Sequence, residues 1–70
     1  KNLYASRSAK KFIIAAAAYT GLEPGNIIDD ALELGVMEMD EEGKLVLIKP
    51  WKEALRDLVG RKRGDLGENS

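Results

Sequence analysis

The sequence contains no cysteine and no histidine, and its 70 residues include two prolines, one tryptophan, two tyrosines and one phenylalanine. Without cysteine no disulfide can staple the chain, and a tetrahedral zinc site lacks its usual ligands. The same gap removes the side chains that most often serve as base or nucleophile near neutral pH, and no glycine-rich phosphate loop is present. The paired carboxylates Asp29-Asp30 and Glu41-Glu42 do not fill the gap. Neighbouring acids on a helix point about 100° apart, so the first pair cannot act on one atom, and the second falls in a turn. The expectation is a protein that is not an enzyme and needs no cofactor or metal. The longest apolar run, Phe12 to Ala18, is too short to span a bilayer, and no signal peptide is visible. A cytoplasmic protein with no membrane partner is expected, and cysteine-free composition fits a reducing compartment. The first residue is Lys1 and not Met, so residues are expected to precede it.

With 44% hydrophobic and 33% charged residues, the composition is that of an ordinary globular domain and not of a disordered chain. A domain this small buries only about 60% of its unfolded surface. With disulfides and zinc removed, a second copy sharing the core is the supplement expected, hence a homodimer.

The net charge of −1 conceals strong segregation. Residues 1–22 hold Lys1, Arg7, Lys10 and Lys11 and no acid. Residues 23–43 hold eight acids, Asp29, Asp30 and Glu33 among them, and no base. Residues 44–63 hold seven bases against Glu53 and Asp57. A locally positive surface can therefore exist on a nearly neutral chain.

Hydrophobic periodicity predicts a first helix from Ser8, its cap, to a stop at Gly21, with Phe12, Ile13, Ala16, Ala17 and Tyr19 on the apolar face. A second helix begins at Pro24 or Asn26 and ends near Leu34 before Gly35, with Ile27, Ile28, Ala31, Leu32 and Leu34 apolar. Residues 36–48 read as a hairpin turning at Asp40-Glu41-Glu42-Gly43. Pro50 launches a third helix whose stripe is Trp51, Ala54, Leu55, Leu58 and Val59, with Gly60 as its stop. The domain is expected to occupy residues 1–60, followed by a flexible charged tail over residues 61–70.

The opening stretch KNLYAS alternates polar and apolar residues. As a strand it would turn Leu3 and Ala5 one way and Asn2, Tyr4 and Ser6 the other. A lone strand leaves both backbone edges unpaired, and pairing with the same strand of a second copy would satisfy one of them. The stretch NLYAS, the helix ending at Gly21 and the segment GLEPGNIIDDALELG together resemble the ribbon-helix-helix DNA-binding proteins of the Arc and CopG type. The resemblance covers residues 1–35. It implies a mainly α fold with short β, in which paired N-terminal strands form a ribbon that enters the major groove of double-stranded DNA, and a role as transcriptional regulator or repressor. Carried over by position, Asn2 and Tyr4 would face base edges, with Ser6 and Arg7 at the groove margin. Lys1, Arg7, Lys10 and Lys11 would contact phosphates, and Gly25 and Asn26 would present the amino end of the second helix to another phosphate. The hairpin and third helix are additions to that family's plan.

Two alternatives stand beside this reading. Two helices followed by a hairpin also fit a winged helix-turn-helix, whose recognition helix would be residues 25–34. That helix carries Asp29, Asp30 and Glu33 and no base, which argues against it as a DNA reader. The other alternative is a protein-interaction module, antitoxin- or adaptor-like, whose surface would be the acidic middle segment.

Overall fold

The computed structural model describes residues 4–67, with side chains as far as residue 61. Its elements run α1 (Arg7–Thr20), α2 (Pro24–Leu34), β1 (Met37–Met39), β2 (Leu45–Leu47) and α3 (Trp51–Gly67). The protein is mainly helical with a small antiparallel sheet, as the periodicity predicts.

Each helix forms where its inner stripe and its ends agree. α1 buries Ala9, Phe12, Ile13 and Ala16, spaced to lie on one side of a 3.6-residue helix. Its cap is Ser6 and not Ser8: the Ser6 hydroxyl oxygen accepts from the Ala9 amide at 3.1 Å. Tyr19 falls at the margin of the stripe and is 69% exposed, so it does not join the core as expected. In α2, Ile27 and Ala31 are buried while Leu32 lies on the outer side. Pro24 opens that helix, where a missing amide hydrogen costs nothing.

Asp40 organises the hairpin turn. One carboxylate oxygen accepts from the amides of Glu42 at 2.9 Å and Lys44 at 2.8 Å. Gly43 then takes a positive φ of 83°, which a side chain would resist. Beyond the turn, Met39 pairs with Leu45 and Met37 with Leu47.

Two expectations are corrected. The first concerns the opening strand. Ala5 forms a parallel bridge to Leu45 of the same chain. The Ser6 amide donates to the Leu45 carbonyl at 2.8 Å, and the Leu45 amide donates to the Tyr4 carbonyl at 2.9 Å. One edge of the opening segment is thus paired within the chain by β2, so the segment is not a lone strand. The second concerns Gly60. α3 passes through it and continues to Gly67, because a glycine in helical φ weakens a helix by about 1 kcal/mol relative to alanine without ending it. Just past it, Arg61 pairs with Glu33 of α2 at 3.3 Å. The tail expected from residue 61 is therefore helical to Gly67, and residues 68–70 lie outside the described residues.

The core sits where α1 meets all the other elements. Phe12, Ile27, Met37 and Leu58 are its largest fully buried side chains, one from each of α1, α2, β1 and α3. Each contributes roughly 1.5–3 kcal/mol of burial. Ala9, Ala16, Ala31 and Ala54 are fully buried between them, where small side chains let the elements approach closely. No helix among the described residues is long and apolar enough to cross a membrane.

Candidate functional site

With its apolar stripe committed to the core, α1 must turn Arg7, Lys10 and Lys11 outward, and all three are exposed. α1 contains no acid. Bases in a first turn oppose the helix dipole by a few tenths of a kcal/mol, so this placement gains nothing for the helix itself.

The neighbours of α1 extend the positive surface. Lys11 from α1 and Lys52 from α3 each lie against the half-buried Trp51 ring, at 5.8 and 5.9 Å from its centroid. Both contacts are within cation–π range, so one indole steadies two ammonium groups from different helices. At the start of α1, a groove is lined by Tyr4, Ala5, Lys10, Glu42 and Lys44, where the opening segment lies along the hairpin. At its other end, Tyr19 faces Lys52, Leu55, Arg56, Val59 and Gly60 of α3 across a second groove. The ion pairs among the described residues are Lys49 with Asp57, at 2.6 Å, and Arg61 with Glu33. Arg7, Lys10, Lys11, Lys44, Lys52 and Arg56 belong to neither. Asp57 accepts a hydrogen bond from Lys49 and attracts its charge, which holds the Lys49 amine above the usual lysine value.

The site residues expected from sequence are only partly brought together. Arg7, Lys10 and Lys11 share one helix and its outer side. Tyr4 is 68% exposed and lies in the groove with Lys10. Ser6 caps α1 through its hydroxyl oxygen, which leaves the O–H free to donate. Gly25 and Asn26 are set apart, because α2 begins where α1 ends and α1 is about 20 Å long. The exposed carboxylate of Glu23, the capping residue of α2, also stands at that helix end, and the Asn26 amide already donates to the Glu23 carbonyl at 3.0 Å. Lys1 and Asn2 lie outside the described residues. Lys44, Lys52, Arg56, Tyr19 and Trp51 were not predicted for the site. The signal for the bases was the second basic block over residues 44–63, but only the packing of α3 on α1 brings that block beside the first.

Fold and site thus define a small mainly helical protein with a two-stranded sheet and a basic surface spread over its first and third helices. The chain belongs to the family described as an uncharacterized protein conserved in archaea (DUF2067), whose sequence profile matches residues 1–56. No curated protein and no solved structure matches the chain.

Proposed function

We propose that this chain binds nucleic acid by its phosphate backbone, through the outer side of α1 and the first turns of α3. The observation that carries the reading is the set of six bases, Arg7, Lys10, Lys11, Lys44, Lys52 and Arg56, gathered around α1 outside the ion pairs of the fold. The order of two helices joined by a short turn and then a hairpin, with a short N-terminal segment beside β2, is compatible with the winged-helix alternative, although among the described residues one helix and not two precedes α2. The contact side differs from the usual one. α2 stands where the groove-reading helix would stand, yet it carries Asp29, Asp30 and Glu33 and no base, so phosphates would repel it. An N-terminal ribbon with a second copy would have to form on the other edge of the opening segment, since Tyr4 and Ser6 bond Leu45 on one edge.

The test is a titration of random-sequence duplex DNA at several salt concentrations. Affinity should fall steeply with salt, with a slope of about −0.9 per phosphate neutralised. Lys10→Gln and Lys11→Gln should each weaken binding to every sequence alike and make the slope shallower by about one. Affinity that does not change with salt would falsify the reading. A protein partner on the other side is favoured by a separate observation: Leu32 and Met39 are exposed on α2 and β1, elements that also carry Asp29, Glu33 and Glu38. A basic partner would suit that surface, and Glu33→Lys with Glu38→Lys should abolish its capture.

A further inference from the structure

The two grooves at the ends of α1 share one pairing of side chains, a tyrosine beside two bases, although the first also holds Glu42 and the second Leu55 and Val59. Each holds one strongly exposed tyrosine, Tyr4 at 68% or Tyr19 at 69%. Each holds two bases drawn from different parts of the chain or from α3, Lys10 with Lys44 in the first and Lys52 with Arg56 in the second. Exposed aromatic rings beside paired bases are the two components by which proteins hold unpaired nucleic-acid strands: the ring stacks on a base and the cations follow the phosphates. Lys52 of the second groove shares the Trp51 ring with Lys11 of α1.

Resting on the nucleic-acid reading above, we infer that the strand bound here is single-stranded, with one base stacked on Tyr4, another on Tyr19, and its phosphates running along the outer side of α1. The tyrosines flank a helix about 20 Å long, so one nucleotide cannot reach both rings and a run of several must lie between them. A duplex cannot make these contacts as it stands. Its bases are already stacked and paired, and freeing one costs a few kcal/mol. Phosphate attraction alone explains the bases but leaves two tyrosines exposed in the grooves without a use. The 4-hydroxyl is not needed for stacking, which separates this role from hydrogen bonding.

The experiment is fluorescence anisotropy of the whole 70-residue chain with a labelled oligonucleotide of about 12 nucleotides, a length within the range such sites cover. The oligonucleotide is supplied single-stranded or annealed to its complement. The single strand should bind at least about tenfold more tightly than the duplex. Tyr4→Ala and Tyr19→Ala should each lose on the order of tenfold on the single strand, with an unchanged salt slope, while Tyr4→Phe and Tyr19→Phe keep wild-type affinity. Both side chains are exposed, and circular dichroism of each variant checks that it is folded. Equal or tighter binding of the duplex overturns the inference and leaves the nucleic-acid reading standing, as do alanine variants that bind like wild type. Poly-glutamate of equal charge displacing the strand equally well also overturns it, because the grooves would then read charge alone. Absence of binding to either form at low salt removes both readings together.

Discussion

α1 and α2 are successive helices of similar construction with opposite outer surfaces. Both place aliphatic side chains and alanine inward, and both end on a glycine whose amide caps the helix, Gly21 and Gly35. Outside, α1 shows Arg7, Lys10 and Lys11, whereas α2 shows Asp29 and Glu33. The inner stripes are dictated by a shared core and tolerate little. The outer stripes carry few packing constraints, Glu33 with Arg61 and Lys11 on Trp51 among them, so most of their charge is open to be set by whatever the protein meets. A helix-turn-helix arrangement is therefore not enough to locate a nucleic-acid contact. In the proposed reading, charge would place it on the first and third helices and leave the second for another use.

The comparison breaks most completely from within. Phe12 lies on the inner stripe of α1, and Phe12→Ala should cost about 3–5 kcal/mol, close to the whole stability of so small a domain. A thermal melt followed by circular dichroism should lose its cooperative transition, and both outer surfaces should vanish together. Changes outside should separate them. Lys10→Glu with Lys11→Glu should lower nucleic-acid affinity on the order of a hundredfold while the melt barely moves, and Asp29→Asn with Glu33→Gln should leave affinity the same or slightly higher. If the α2 variant weakened binding as much as the α1 variant, the division between the two helices would be wrong.

A smaller effect tests how α1 is started. Ser6→Ala removes the cap on the Ala9 amide and should cost about 1 kcal/mol, read as a lower denaturant midpoint with an unchanged slope. The smallest concerns Lys49 and Asp57. Because pairing raises the Lys49 value in the folded state, its contribution is fully present below the unfolded lysine value of about 10.4 and is lost as pH rises through the folded value. Asp57→Asn should therefore lower stability slightly at neutral pH, with the difference from wild type closing as pH rises past the folded Lys49 value. A difference that persisted unchanged above that value would contradict the assignment.

Much of this architecture was legible from residue order. Periodicity and glycine placement located α1 and α2 to within a residue or two, and the Asp40 to Gly43 turn followed from its chemistry. Three points were not legible, each for a nameable reason. Ser6 and Ser8 are both competent caps, and the choice fell to Ser6 because the residues before it are held extended against Leu45. Gly60 has the identity of a stop signal, but it stays in helical φ, and a glycine there weakens a helix without ending it. The opening segment meets β2 along one edge, which the order of residues did not indicate, since any strand edge can satisfy backbone groups and sequence does not say which one arrives.

The candidate site divides in the same way. Sequence by itself determined which residues are basic, that α1 holds no acid and α2 no base, and which side of each helix must face out, because local periodicity and charge are properties of neighbours along the chain. Only the tertiary structure decided that Lys52 and Arg56 stand beside Tyr19, that Lys44 joins Lys10, and that Trp51 holds two lysines. These are contacts between distant segments, and they are set by how the apolar stripes of three helices and a hairpin close on one another around Phe12.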